Sequence, residues 1–553
     1  MVKHPYSFLI KGLSISIFLS FLFIPLQIHG QTLTYNYYYR VYFTDKGNNS
    51  VDDYLPSQLL SQRSIERRSK HGINALNISD IPVSDEYIKA VKEKGLTLHC
   101  TSKWMNTGLF KSISPVNPDI ILILPFVSDV KIVKTSGYKN SGIDKLNFSL
   151  SSLADFPYDT PVTMLNGYTL YNQGYKGNGI LIAVLDGGFD NADEISSLQN
   201  LRDRQGIKAT FDFVSDNPFV YYSSTHGTAV LSVLAGNLTG TVEGTAQDAD
   251  YILLKTEDVN SEFPCEEDFW AAGAEYADSA GADIINSSLG YSTFDDHSLD
   301  YKFSDLDGNK AFITQVADLA YSKGILVFNS AGNERNKSWK RIICPADGNV
   351  VIAVGAVDGN NMISAFSSAG PSYDRRVKPD NVAMGVSVPV QTSVTTTGRA
   401  DGTSFSCPVL SGMSACLLQA VPKARNYDIQ TVLRESSNRF STPDSLYGYG
   451  IPDMGSALLK LQDMFVRVPE EISVAGPNPT TGEFEIIFRE SHESVKIEIF
   501  TTSGKLIWKK ESDNFAGRAL RISGLQNKEQ GLYLVRITTP EATMVHKIIK
   551  LKN

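Results

Sequence analysis

Between residues 180 and 354 the chain carries a series of short apolar runs with little polar alternation: Ile180–Leu185, Tyr251–Leu254, Asp283–Asn286, Ile325–Asn329 and Val350–Val354. A strand with one wet face alternates polar and apolar residues, whereas runs like these need cover on both faces, as in a parallel sheet held between helices. Helical spacing in Phe269–Ser279 and Ala311–Ser322 supplies that cover. The region from about 160 to 460 is therefore expected to be α/β, a doubly wound parallel sheet.

A length of 553 residues exceeds what one core organises, and the flanks read differently from the centre. Residues 31–145 mix strand-like runs (Tyr37–Phe43, Ile120–Leu124, Val130–Val133) with helix-like ones (Leu55–Ser69, Asp85–Glu93), a small α+β unit. The polar stretch Lys134–Lys145 then reads as an exposed, cleavable linker. Residues 471–553 give short alternating strands (Phe484–Phe488, Val495–Phe500, Leu506–Trp508, Leu520–Ile522, Leu532–Ile537, Val545–Leu551), the pattern of a small β-sandwich.

Residues 1–30 have the form of an export signal: Lys3 and Lys11, the apolar run Leu13–Ile28, and Ile28-His29-Gly30 before Gln31. A membrane anchor is the competing reading, but Ser14, Ser16, Ser20 and Pro25 interrupt a segment already short for a span. No later stretch reaches about 18 uninterrupted apolar residues, so no span is expected once the signal is removed. The net charge of -9 offers no basic footprint for nucleic acid. Five cysteines are too few to staple an exported chain of this size.

Three segments carry candidate chemistry. Asp186-Gly187-Gly188 follows the strand Ile180–Leu185, and catalytic groups in open α/β sheets gather beyond the carboxyl ends of strands. His226-Gly227-Thr228 precedes the apolar run Ala229–Ala235, placing an imidazole with proton-accepting chemistry near neutrality at the start of a buried helix. Gly402-Thr403-Ser404-Phe405-Ser406-Cys407-Pro408 places a serine at a helix start, with Pro408 expected in the first turn. Each has a structural reading alone, as turn aspartate, core histidine and N-cap serine. Together they supply the carboxylate, imidazole and hydroxyl that make an alcohol a nucleophile, and the order Asp, His, Ser excludes the Gly-x-Ser-x-Gly elbow.

With these boxes in this order over about 300 residues, the sequence resembles the subtilisin-like serine peptidases. Two further boxes match: Ser330-Ala331-Gly332-Asn333-Glu334 resembles the oxyanion-hole segment, and Ser288-Leu289-Gly290 the edge that pairs with an extended substrate. The resemblance implies a secreted serine endopeptidase acting by acyl transfer through Asp186, His226, Ser404 and Asn333. It also implies substrate contacts from Ser288, Leu289, Gly290, Ser330, Ala331 and Gly332. Gly187 stands where Thr or Ser is usual, and Phe405 and Ser406 replace the common Met and Ala, departures that bear on pocket shape and remove no reactive group. The competing readings are a catalytically silent surface-binding protein on a peptidase fold, and a dedicated maturation protease.

The N-terminal unit, through Ser61-Gln62-Arg63-Ser64-Ile65-Glu66-Arg67-Arg68, is similar to the family's inhibitory prodomains, cut between about residues 134 and 160. The C-terminal unit resembles sorting domains of type IX secretion through Pro477-Asn478-Pro479-Thr480-Thr481-Gly482, Gly531-Leu532-Tyr533-Leu534-Val535 and the basic end Lys547, Lys550, Lys552. An immunoglobulin-like adhesive module is its alternative. The expected partners are protein or peptide substrates, the chain's own prodomain and a secretion machinery, at the surface of a Gram-negative bacterium or outside it. The chemistry requires no cofactor. Structural calcium, common in the family, has one candidate in Asp305-Leu306-Asp307-Gly308-Asn309, which reads better as a solvated turn. Cys265 and Cys344, in loops beside the expected cleft, are the pair to consider for a bridge. Cys407 and Cys416 lie about 13 Å apart along one helix, beyond disulfide reach.

Overall fold

The computed structural model describes residues 37–135, 144–146, 148, 150, 156–466, 472–475, 477–488, 492–515, 519–540 and 543–552. The expected export signal and the middle of the expected linker lie outside these residues.

The centre is a parallel seven-stranded sheet of β1 (Leu181–Asp186), β2 (Ile207–Asp212), β3 (Asp250–Lys255), β4 (Ile284–Ser287), β5 (Leu326–Ser330), β6 (Ile352–Val357) and β7 (Asn381–Met384). Its order is β7-β6-β5-β4-β1-β3-β2. Growth of the sheet reverses beside β1, so the carboxyl end of β1 opens at a topological switch point. Helices α1 (His226–Ala235), α2 (Cys265–Ala280), α3 (Phe312–Ser322) and α4 (Thr403–Ala420) cover the sheet. The strand period of two divides the core. Ile182, Val184, Leu253 and Phe328 pack with Val230, Leu234 and Leu410 of α1 and α4. Ala183, Leu185, Leu254 and Val327 pack with Trp270, Ala274 and Val316 of α2 and α3 on the other face.

The N-terminal unit is a four-stranded antiparallel sheet ordered Thr97–Ser102, Thr107–Ser112, Tyr37–Phe43, Val127–Lys134, with helices over Gln62–Lys70 and Asp85–Lys92. Ile120–Leu124, expected as a strand, lies instead in and after the short helix Asp119–Leu122. A five-residue apolar run carries no usable period. Only Ile121 of that helix is buried, while Ile120, Leu122 and Ile123 face outward.

This unit docks on α2 through buried charge. Arg40 reaches Asp268 at 2.7 Å and Glu267 at 3.1 Å and lies over the Phe312 ring, 3.6 Å from its centroid. The run Ser61–Arg68 finds its role at the carboxyl end of the same helix. Arg68 bonds Asp278 at 2.6 Å and Asp80 at 2.8 Å, and Arg67 pairs with Asp278 and donates to the Ala282 carbonyl at 2.6 Å. Cations there also meet the negative pole of the helix. Glu275, with no arginine, accepts from Ser102 Oγ and the backbone N–H of Lys103 and Trp104 at 2.6 to 3.0 Å.

The C-terminal unit is two antiparallel sheets: Ile472–Ala475, Phe484–Phe488 and Ala519–Ile522 in one, and Leu506–Phe515, His492–Thr501, Gly531–Thr538 and Thr543–Lys550 in the other. Alternate residues Phe484, Ile486 and Phe488 meet Ile497, Ile499, Val535 and Ile537 in one core, as the sandwich reading expects.

Removing one partner of a buried ion pair leaves a charge uncompensated, at a cost of about 3–5 kcal/mol. Arg40→Ala in the unprocessed chain is therefore expected to lower the urea midpoint at which the N-terminal unit separates, followed by fluorescence of the interface Trp104. An unchanged midpoint would show that the pair contributes nothing to docking.

Candidate active site

Asp186 ends β1 fully buried, and its two carboxylate oxygens lie 2.8 and 3.0 Å from His226 Nδ1. Glycines allow that approach. A Cβ on Gly227 would stand 2.3 Å from the Gly188 carbonyl oxygen, and one on Gly188 would stand 2.2 Å from that of Tyr222. The Gly187 N–H also donates to Asp186 Oδ1 at 2.8 Å. Burial works against an imidazolium at His226, but the Asp186 carboxylate outweighs it, with Asp144 and Glu257 adding to the effect, and its pKa is raised above the ordinary 6.5.

Ser404 is the second residue of α4 and is buried, with 8% of its surface exposed. Pro408, expected in the first turn, falls in the second. Having no N–H, it cannot bond the Ser404 carbonyl four residues back. The Ser288 hydroxyl donates to that carbonyl instead, at 2.8 Å, while Ser404 Oγ donates to the Ser288 carbonyl at 3.3 Å. The two segments are thus tied reciprocally. In this arrangement Ser404 and His226 share no hydrogen bond, a contact often loose outside a productive complex.

Asn333 follows β5. Its Oδ1 accepts from Thr403 N–H at 2.9 Å and Thr403 Oγ at 3.0 Å, and a Cβ on Gly402 would stand 3.6 Å from Nδ2. Thr403 Oγ also accepts from the Gly332 N–H at 3.1 Å. Ser330 and Ala331 are buried, Ala331 N–H bonding the Val354 carbonyl. Leu289 is buried, its carbonyl held by Asn329 at 2.9 Å, and a Cβ on Gly290 would strike Ile343 at 2.6 Å. The structure thus brings Asp186, His226, Ser404, Asn333 and the segments Ser288–Gly290 and Ser330–Gly332 to one edge of the sheet.

Sequence reasoning missed one group there. Glu257, just beyond β3, Glu262 in the following loop and Glu266 in the first turn of α2 point their carboxylates at one place, all within 4.8 Å of one another. Lys145 Nζ occupies it, 2.6 Å from Glu257, 2.8 Å from Glu262 and 2.8 Å from Glu266. Lys145 was expected in an exposed linker and is instead anchored, because three carboxylates hold its charge. The spacing of five and four residues across strand end, loop and helix carries no motif; only the fold assembles it. The Cys265–Cys344 bridge is not formed. All five cysteines are free, Cys265 packing beneath the N-terminal unit with Leu109 and Phe269, and Cys344 bonding the Tyr291 carbonyl. At the expected calcium candidate, Asp307 caps its own turn by accepting from the N–H groups of Asn309 and Lys310.

A sequence profile of the subtilase family matches residues 177–450, one of the peptidase S8 propeptide domain of Bacteroidota matches 38–145, and one of the secretion system C-terminal sorting domain matches 476–551. Subtilisin E of Bacillus subtilis is 33% identical over 298 residues, covering 54% of this chain and 70% of that one. A subtilisin of Bacillus pumilus is 32% identical over 298 residues, covering 54% of this chain and 97% of that one. The crystal structure of fervidolysin from Fervidobacterium pennivorans, a keratinolytic enzyme related to subtilisin, shares the fold at a TM-score of 0.52 and 17% identity, over 94% of this chain and 76% of that one. The chain belongs to the subtilase family of serine peptidases. Its propeptide and sorting domains mark it as a secreted or surface protein of Bacteroidota, a Gram-negative group.

A base at His226 would have to be unprotonated to take the Ser404 proton. With His226 in that role, reaction with a fluorophosphonate should be full above the raised His226 pKa and fall as pH drops through a midpoint above 6.5. Glu257→Gln removes one of the charges that raise it and should move the midpoint down; a wild-type midpoint below 6.5 would contradict this account.

Proposed function

We propose that this chain is the precursor of a secreted serine endopeptidase whose Asp186, His226 and Ser404 act as a catalytic triad, with Asn333 donating to the oxyanion. The observation that carries the reading is the paired contact of His226 Nδ1 with Asp186, on the same sheet edge as Ser404. His226 takes the Ser404 proton as Oγ attacks a peptide carbonyl, and Asp186 fixes the tautomer and stabilises the imidazolium. Asn333 Nδ2 and N–H groups at the start of α4 stabilise the oxyanion. His226 returns the proton to the leaving amine, and water releases the acyl group.

On the same reading, residues 31–145 form an inhibitory prodomain that also assists folding, residues 160–460 the peptidase domain, and residues 471–553 the sorting domain that addresses the protein to type IX secretion. The Ser288–Gly290 and Ser330–Gly332 segments form the walls against which substrate backbone and side chain lie.

Ser404→Ala is expected to abolish turnover of an unfolded protein substrate and the fluorophosphonate adduct together. Asn333→Ala is expected to lower kcat about 10²–10³-fold with a smaller change in KM. Undiminished turnover in Ser404→Ala would overturn Ser404 as the nucleophile, whereas no turnover and no adduct in the processed wild type would favour a binding protein on this fold. Deletion of residues 471–553 is expected to leave the protein in the periplasm, and normal release would exclude a sorting role.

A further inference from the structure

The segment that carries Lys145 crosses the reaction centre. Ser224, two residues before His226, donates its hydroxyl to Asp144, and the Lys145 N–H donates to the Val259 carbonyl at 2.9 Å. Leu146 lies against Gly187 beside the catalytic aspartate, its Cδ1 2.5 Å from where a Cβ there would stand. The Phe148 ring is 5.9 Å from that of His226 and 5.1 Å from that of Phe405, next to the nucleophile. Leu150 bridges antiparallel to Ala400, just upstream of Ser404. Residues 145, 146, 148 and 150 thus lie in turn beside Val259, the Asp186–His226 pair and Ala400, the order expected of a bound peptide that pairs with strand edges.

On that path the Lys145 side chain is held as a ligand is held. Besides the three carboxylates its ammonium donates to the Ser261 carbonyl at 2.6 Å. The receiving groups are themselves fixed: Glu257 accepts from Tyr291 Oη at 2.6 Å, and Glu266 from the N–H groups of Asp258 at 2.8 Å and Phe263 at 2.9 Å. Glu257 and Glu266 are buried, and none of these fixing contacts involves Lys145. The acceptors belong to the peptidase domain, while the ammonium belongs to the segment upstream of the bond to be cut.

We infer that Glu257, Glu262 and Glu266 form a substrate subsite for a basic side chain one or two residues before the residue whose carbonyl is attacked, and that Lys145 fills it in the precursor. This rests on the peptidase reading above. Processing then falls between Leu146 and Phe148. The bond is broken by the same acyl transfer: the Ser404 ester forms as the C–N bond breaks, the amine takes the proton from His226, and water frees the new carboxylate. Once the leader departs, the pocket keeps three carboxylates facing one another without a cation, which favours a lysine or arginine of the substrate over an apolar residue.

The test uses processed enzyme obtained from the full chain. Its N-terminal sequence should begin at Asn147 or Phe148, and the position of Lys145 relative to that cut sets the design of paired peptides bearing lysine or norleucine there. The lysine peptide should exceed its norleucine twin in kcat/KM by about 10- to 100-fold, the range expected for buried charge-assisted bonds. Glu262→Gln is the clean variant, because among the described residues the Glu262 carboxylate has Lys145 as its hydrogen-bonding and ion-pair partner, and it should cut the ratio several-fold. Glu262→Lys should remove the preference. Equal turnover of the twins, or a preference unmoved in both variants, would overturn the subsite while leaving the peptidase reading standing. A calcium-dependent rise in Tm that Glu262→Gln abolishes would also overturn it, in favour of a metal site. Absence of turnover on every peptide together with no adduct on Ser404 would instead overturn the reading on which the subsite rests.

Discussion

The docked precursor depends on charge buried along one helix. Helix α2 carries Glu266, Glu267, Asp268, Glu275 and Asp278, all buried, and groups from the N-terminal side of the chain meet each of them: Lys145, Arg40, Ser102 with two backbone N–H groups, and Arg67 with Arg68. Burial pushes the carboxyls of Glu266, Glu267, Asp268 and Glu275 up, so the docked state is possible only because cations and N–H dipoles stand against them. Undocking relieves that cost at Glu267, Asp268, Glu275 and Asp278, where the N-terminal unit itself supplies the cover and its departure lets water reach the carboxylates. The interface is therefore built from groups that are comfortable either paired or wet, which suits a segment that must hold firmly and later leave.

The same charge reaches the reaction centre. Glu266 opens α2, and through Lys145 it is joined to Glu257, which lies against Gly187 and adds to the field that raises His226. Burial, together with Glu257, pushes Glu262 up to about 7 even with Lys145 opposing it. The pocket thus holds more negative charge than it can keep comfortably without a cation. That constraint ties docking of the N-terminal unit, the position of the leader segment and the basicity of the His226 imidazole into one electrostatic unit.

Much of this was legible in the sequence where chemistry and strand pattern coincide. Asp186, His226, Ser404 and Asn333 were readable because each sits at an element boundary marked by glycine and an apolar run, and β1, β3, β4 and β5 begin and end within about a residue or two of the apolar runs. The edge strands β2 and β7 were not, because Ile207–Asp212 is only half buried and carries Lys208, and Asn381–Met384 is four residues long. The Ile120–Leu124 run went to a helix for want of a period. Lys145 was read as linker from its polar neighbours, although the partners that hold it come from 112 to 121 residues further on. No local pattern encodes such a contact.

The geometry at Ser404 completes the physical picture. The Asp186–His226 pair is fully formed, yet the Ser404 hydroxyl points to the Ser288 carbonyl. That carbonyl sits on the segment expected to pair with substrate backbone, and a peptide N–H donating to it would compete with the serine hydroxyl for the same lone pairs. A well-seated substrate would then release Ser404 Oγ to turn toward His226. Pro408 makes this economical. By freeing the Ser404 carbonyl for the Ser288 hydroxyl, it keeps the two segments in register while the other hydrogen bond is exchanged. On the reading of Ser404 as nucleophile and His226 as its base, activation is in this way coupled to backbone pairing, so a peptide that fails to pair leaves the hydroxyl turned away from the imidazole.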